Sequence, residues 1–374
     1  MPAPAPARRG DSFALIDTPA LVVDLDALDR NIAAMAAHAR QSGIALRPHA
    51  KTHKSVEIGR RQLAAGAVGL CCQKVSEAEA LLPSGVSDLL ISNHVVGGGK
   101  LGRLARIARD TRVTTLASDP RHVGWLSEAA QAHDVEIEVL VEIDAGDARM
   151  GLAGMTGLPD LARSIHTAKG LRLRGLQVYN GPFQHLRPQA ERAAASRQAA
   201  ARAAEARDVL TRAGLPCSLI TGGGTGSFAE DAALGVFTEL QPGSYVFMDG
   251  DYGRNLDGAG KPYAPFAQSL FVLTTVLRTP APGIAYVDAG VKALNLDSGM
   301  PTLNARPDLR FTKASDEQGR VETMPRGRAP DLGERLAIVP SHCDPTVNQF
   351  DWMVAVRDGS VEDVWPVHAR GCLT

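Results

Sequence analysis

Short runs rich in Val, Ile and Leu recur along the first two-thirds of the chain with helix-like segments between them, a pattern that predicts repeated βα units. The runs are IALRPHAK (44–51), VGLCCQK (68–74), LLISN (89–93), TTLAS (114–118), IEVLVEID (137–144), LRGLQVYN (173–180), SLITGG (218–223) and SYVFMD (244–249). Connectors such as the Ala/Arg-rich stretch 188–213 are long enough for crossover helices. Eight such strands close naturally into a (β/α)8 TIM barrel, and their count and even spacing disfavour a doubly wound open sheet. One more run, ALVVDL (20–25), precedes the first helix and is predicted to pair outside the barrel. After about residue 262 the rhythm changes to strands separated by turns: SLFVLTTVLR, GIAYVDAGV, ERLAIVPS, WMVAVRDG and SVEDVWPV. The predicted organisation is an α/β chain with a tail at 1–19, a barrel at 20–261 and a C-terminal all-β domain at 262–374, which strand 20–25 joins.

Composition narrows the partner. Lys and Arg total 40 against 41 Asp and Glu in 374 residues, a net charge of −1 that attracts neither nucleic acid nor anionic lipid. A small-molecule substrate fits better. The opening MPAPAPARRG has no signal-peptide core and reads as a loose tail. The longest apolar stretches, such as 270–277, fall far short of the roughly 20 residues that span a bilayer. Five cysteines, an odd number without a CxxC pair, suit a reducing cytoplasm rather than a disulfide framework.

Polar groups at the carboxyl ends of barrel strands face the active-site end of such a fold. Period-2 alternation puts residues 47, 49 and 51 on one face, so His49 and Lys51 point inward together. An inward lysine that sheds its proton is a nucleophilic amine suited to Schiff-base chemistry; one that snorkels to solvent is inert. In VEIDAGDARMG, Glu142 and Asp144 alternate inward, and Arg149 either pins an anionic oxygen or pairs with Asp144 or Asp147. Gln177 and Tyr179 share a face of the next strand, with His185 on the following loop. TGGGTGS (221–227) places Gly224, Thr225 and Gly226 where backbone N–H groups converge on an anion, and Gly243 and Ser244 after the last strand complete such a cradle. No Lys–Ser/Thr pair follows, so a cofactor phosphate fits better than a nucleotide. In PSHCDPT, an extended segment gives His342 and Asp344 a common face, an N,O pair suited to a divalent cation or simply a strand end.

Together these segments, with DTPALVVDLDALDRNI (17–32), RPHAKTHK (47–54), ELQPGSYVFMDGDYG, VDAGVKALNLDSGMP (287–301) and SHCDPTVNQFDW, resemble the fold-type III pyridoxal-phosphate enzymes. Within that alanine racemase-like group the resemblance is to the branch of D-threonine aldolases, 3-hydroxyaspartate aldolases and dehydratases, and D-serine dehydratases. It implies that Lys51 carries pyridoxal 5′-phosphate, that Arg149 bonds the cofactor's phenolic oxygen, that Gly224, Thr225, Gly226, Gly243 and Ser244 hold its phosphate, and that Gln177 and Tyr179 line it. Gln241 stands where racemases have an arginine, which implies a cofactor nitrogen without a cationic partner. D-serine dehydratases carry His-x-Cys at the metal segment; here the second ligand position is Asp344, which favours Mn²⁺, Mg²⁺ or Co²⁺ over zinc.

The implied reaction is retro-aldol cleavage of a β-hydroxy-D-amino acid to glycine and an aldehyde, with His185 taking the hydroxyl proton. Acetaldehyde would leave from D-threonine and glyoxylate from 3-hydroxyaspartate. Dehydration to a 2-oxo acid and ammonia is the alternative within the branch. A cofactor-binding homeostasis protein is the non-enzymatic alternative, disfavoured because such proteins lack the β domain, and racemisation is disfavoured because no racemase-type catalytic tyrosine is evident there. The resemblance also implies a homodimer paired head to tail, and the cysteine usage a cytoplasmic location.

Overall fold

The computed structural model describes residues 4–374. The first strand, β1 (Ala20–Asp24), is followed by a helix that Asp24 caps by accepting from Ala27 N at 2.9 Å. The barrel strands are β2 (Ala45–Leu46), β3 (Leu70–Cys72), β4 (Asp88–Ile91), β5 (Arg112–Ala117), β6 (Ile137–Asp144), β7 (Leu171–Tyr179), β8 (Leu219–Gly222) and β9 (Glu239–Leu240). They form an eight-stranded sheet in the order β2-β9-β8-β7-β6-β5-β4-β3 with every pairing parallel. Backbone bonds from Cys71 N to Pro48 O (2.9 Å) and Ala50 N to Cys71 O (2.7 Å) close the ring between the first and second barrel strands.

The last barrel strand differs from the expectation. SYVFMD forms a 3₁₀ turn at Ser244–Val246, and the strand is the short Glu239–Leu240 before it. Pro242, without an N–H, and Gly243 end the ladder there, while Tyr245, Val246 and Phe247 are buried in the main core rather than in a sheet. A short apolar run reports burial without saying which element buries it.

Inside the barrel the inward side chains are layered. At the amino-terminal end Arg47 pairs with Asp88 (2.8 Å) and Glu239 (2.9 Å), and Arg174 with Glu138 (2.5 Å), so each buried charge has its opposite. Above them lie Cys71, Leu90, Leu116, Leu140 and Leu219, a dry plug. The third layer, at the carboxyl ends, is polar and opens into a chamber.

The β domain contains β10 (Leu270–Ala281), β11 (Ile284–Val287), β12 (Thr302–Leu303), β13 (Leu309–Ala314), β14 (Gly319–Thr323), β15 (Arg335–Val339), β16 (Trp352–Arg357) and β17 (Ser360–Pro366). The early strand β1 lies between β10, to which it is antiparallel, and β16, to which it is parallel. The hairpin β13–β14 escaped the sequence pattern because its outward positions are strongly polar and only alternate residues such as Leu309, Phe311 and Val321 are buried.

The expected loose tail is corrected as well: residues 1–3 lie outside the described residues, but 4–19 are docked. Gly10 N donates to Val361 O (2.9 Å) and Phe13 N to Gly359 O (2.8 Å), and Ala7 and Ile16 pack with Val22, Leu273 and Val354. Apolar residues scattered among prolines thus cover a β-sheet face. No helix among the described residues is long and apolar enough to cross a membrane.

Candidate active site

The chamber at the carboxyl ends of the barrel strands has a volume of about 210 Å³. Lys51, His49, Gln177, Tyr179, Gln241 and Glu142 reach it from the barrel, and His342 and Asp344 from the β domain. The alternation read from RPHAK holds: Arg47 enters the charged layer, His49 the polar layer and Lys51 the chamber. Lys51 Nζ lies 3.6 Å from Asp344 Oδ2. Desolvation is the largest influence and works against the ammonium, but Asp344, joined by Tyr179 and Cys71, tips the balance and raises the lysine's pKa. The anticipated loss of its proton through burial therefore does not occur in the cofactor-free chain; a carboxylate from the other domain holds the charge.

Glu142 lies on β6 opposite Gln177 in register. Burial pushes its carboxyl up to about 7, and Oε2 has no hydrogen-bond partner. His94 Nε2 is 3.4 Å away, but burial and His122 push that imidazole down to about 4. Between those values both groups are neutral, so their proximity is not an ion pair. Asp144 instead serves the loop: its Oδ1 accepts from Gly146 N (2.8 Å), Asp147 N (3.1 Å) and Ala148 N (3.2 Å). That leaves the Arg149 guanidinium, which sits 5.7 Å over the Tyr179 ring with Asp147 at 3.8 Å, without a hydrogen-bonded carboxylate among the described residues.

His185 ends a 3₁₀ turn (Pro182–His185), with Nδ1 2.6 Å from Asp251 Oδ2 and its ring packed at a tilt of 43° against Tyr252, centroids 4.8 Å apart. Arg187 and Arg254 bind the other oxygen of Asp251. Burial opposes the Asp251 charge, but His185 and Arg187 together hold its carboxyl well below the usual range. An imidazole whose inner nitrogen is tied to a carboxylate presents the outer nitrogen as a proton acceptor.

The PSHCDPT segment is not extended throughout. His342 is the N-cap of a short helix, Cys343–Val347, and Asp344 lies in its first turn, yet both line the chamber. His342 Nδ1 is 2.9 Å from Asp297 Oδ2, which orients the ring and leaves its other nitrogen for the chamber. Burial disfavours the charge on both, but Asp344 and Asp297 raise the pKa of His342, and Lys51 and then His342 lower that of Asp344. The described residues contain no group of three or more His, Cys, Asp or Glu placed to hold a metal ion.

At the anion cradle, Gly224 and Thr225 donate their N–H groups to no acceptor among the described residues, and Ser244 opens a 3₁₀ turn with no intrahelical partner for its own. The Thr225 hydroxyl accepts from Tyr245 N (3.0 Å), tying the two loops together. A Cβ on Gly243 would stand 2.6 Å from Thr52 Oγ1, so the close approach requires glycine.

The alanine racemase N-terminal domain family matches residues 23–251, and a putative serine dehydratase domain matches 269–356. The chain belongs to the alanine racemase-like family. It is 47% identical over 369 residues to a D-threonine aldolase of Arthrobacter sp., covering 98% of this chain and 96% of that protein. It is 43% identical to a 3-hydroxy-D-aspartate aldolase of Paracoccus denitrificans, covering 98% and 95%. The crystal structure of a D-threonine aldolase from Filomicrobium marinum superposes with a TM-score of 0.96 at 46% identity over 100% of both chains.

For this member of the alanine racemase-like family, Lys51, Arg149, Gln177, Tyr179, His185, Gly224, Thr225, Gln241, Gly243, Ser244, His342 and Asp344 all line the one chamber. Gly226 does not: its N–H donates to Gln184 Oε1 at 2.9 Å, and a Cβ there would stand 2.2 Å from the Gln184 carbonyl oxygen. Gln241 Nε2 donates to Gln177 Oε1 and Thr221 Oγ1, both at 2.7 Å, so its amide is fixed by neighbours. Asp251 and Asp297 were missed. The only sequence signal for them was acidic residues inside the glycine-flanked runs DGDYG and DSGMP.

Proposed function

We propose that this chain is a pyridoxal-phosphate- and divalent-metal-dependent carbon–carbon lyase that cleaves a D-threonine-like β-hydroxy-D-amino acid to glycine and an aldehyde. The observation that carries the reading is the meeting of an amine (Lys51), an oriented imidazole (His185) and a His/Asp pair (His342, Asp344) in one chamber. The similarity to D-threonine aldolases over the full chain supports it.

The residues fit the cofactor. An amine at the chamber, the free N–H groups of Gly224 and Thr225, and the unpartnered Oε2 of Glu142 are features that a bound polar group would satisfy. Lys51 would hold it covalently, the glycine cradle would hold its phosphate, and Arg149 would bond its phenolic oxygen. When bound, it supplies a sink for the electron pair released at Cα. His342 and Asp344 fit a divalent cation as an N,O pair with an outer carboxylate, Asp297, and two protein ligands leave positions for substrate oxygen. A cation there supplies Lewis acidity that lowers the pKa of a nearby hydroxyl.

The chain's own groups then divide the work. Asp251 holds His185 in one orientation, and His185 takes the β-hydroxyl proton as the Cα–Cβ bond breaks. Tyr252 packs against the imidazole and keeps it from turning. The cations that line the chamber already face carboxylates: Lys51 with Asp344, Arg149 with Asp147, and His342 with Asp297. This favours a monocarboxylate such as D-threonine over 3-hydroxyaspartate, whose second carboxylate needs a further cation. The free cysteines, three of them buried, accord with a cytoplasmic setting, and we infer a homodimer from the family resemblance.

The test is a product assay with pyridoxal phosphate and Mn²⁺ on D-threonine and each 3-hydroxyaspartate isomer. Glycine and acetaldehyde, lost with a chelator and restored by Mn²⁺, are expected. A 2-oxo acid with ammonia would move the chain to the dehydratases, and glycine with glyoxylate at the higher kcat/KM would make it a 3-hydroxyaspartate aldolase.

A further inference from the structure

One buried carboxylate joins the two halves of the site. Asp249, 2% exposed, lies between the last barrel turn and the β domain. Its Oδ1 accepts from Asp251 N (3.1 Å) and Tyr252 N (2.9 Å), the residues that orient and pack His185. Its Oδ2 accepts from Cys343 N (2.9 Å), between His342 and Asp344. Two backbone bonds run alongside, Gly250 N to Pro340 O (2.9 Å) and Asp251 N to Ser341 O (3.0 Å). Asp249 therefore receives three N–H groups from two loops that are remote in sequence and adjacent in space.

We propose that Asp249 is a positioning residue that sets the His342/Asp344 pair relative to the His185–Asp251 pair, and that through Cys343 N it holds the cation ligands ready for binding. The inference rests on the aldolase reading above. Asp249 touches neither substrate nor cofactor; it acts through the amides it gathers. A carboxylate can serve donors on both oxygens, whereas an asparagine has one acceptor oxygen and one donor nitrogen. In Asp249→Asn the amide oxygen stays with the paired donors Asp251 N and Tyr252 N, and its NH₂ then faces Cys343 N donor to donor. The substitution thus loosens the cation side and spares the base side.

The experiment uses cofactor-loaded Asp249→Asn beside the wild type. Mn²⁺ binding is measured by titration calorimetry, cofactor loading by absorbance, and steady-state kinetics are run at limiting and saturating Mn²⁺. The expected result is a Kd for Mn²⁺ raised about tenfold, as one lost charge-assisted hydrogen bond implies, with cofactor absorbance kept and kcat largely recovered at saturating Mn²⁺. An unchanged Kd for Mn²⁺ with only a lower melting temperature would make Asp249 a structural brace and overturn the proposal. Should the variant not fold, amide exchange on the wild-type holoenzyme decides: Mn²⁺ is expected to protect 249–254 together with 340–347, and protection of 340–347 alone overturns the coupling. A wild type that binds no Mn²⁺ or cleaves no D-threonine defeats the parent reading instead, and that failure is visible before any variant is made.

Discussion

Glu142 offers a quantitative test of the chamber's electrostatics. The perturbation is Glu142→Gln in the cofactor-free protein, which keeps the shape of the side chain and removes its ability to ionise. In the folded chain the carboxyl is pushed from 4.5 up to about 7, mainly by burial, with Asp147 and Asp144 adding to the push and Arg149 opposing it. The unfolded chain releases this proton near 4.5, whereas the folded chain keeps it until about 7. Stability therefore falls as pH rises through that interval, and above it the folded state carries a penalty of ~3 kcal/mol. His94, pushed down to about 4, stays neutral throughout and offers no compensating charge. With an unfolding entropy near 2.1 cal/mol/K per residue, ~3 kcal/mol corresponds to about 4 °C in a chain of 374 residues. Scanning calorimetry of both proteins should show Glu142→Gln melting about 4 °C above the wild type at about pH 8, and within about 1 °C of it at about pH 5. Equal differences at the two pH values would refute the reasoning, because they would mean that Glu142 ionises as freely in the folded protein as in water.

Two further substitutions address the chemistry. Asp251→Asn removes the charge 2.6 Å from His185 Nδ1; a close contact with a charged group, worth ~1.5–3 kcal/mol, corresponds to a fall in kcat of about 10- to 100-fold, with KM for D-threonine little changed in steady-state assays, and an unaltered kcat would remove the His185–Asp251 pair from the mechanism. Gly243→Ala places a Cβ 2.6 Å from Thr52 Oγ1 and 3.2 Å from His49 O. It should displace the Ser244 N–H and weaken pyridoxal-phosphate binding about tenfold by absorbance titration; an unchanged affinity would show that Gly243 takes no part in holding the phosphate.

Much of this architecture was legible in order along the chain. The alternation Arg47, His49, Lys51 places these side chains in the charged layer, the polar layer and the chamber in turn, and two residues per repeat is a property of extended backbone. The glycines at 222–224 and 226 announce close approach, because Cβ atoms on them would strike Val178, Asp231 and Gln184. The eighth strand was misplaced because Tyr245–Phe247 are as apolar as a strand while Pro242 and Gly243 had already ended the ladder. The docking of residues 4–19 was missed because a few apolar residues among prolines carry no periodicity.

What the sequence determined by itself is what depends on neighbours a few residues apart: strand alternation, turn glycines, the capping of the first helix by Asp24, and the amine at position 51. The tertiary structure alone decided which carboxylate serves which imidazole and amine. Asp297 reaches His342 across 45 residues, Asp251 comes from beyond the last barrel strand to His185, and Asp344 crosses from the β domain to Lys51. An ion pair or hydrogen bond of this kind extends only about 3–4 Å. Its partners are therefore chosen by how barrel and β domain pack, and no periodicity along the chain records that choice.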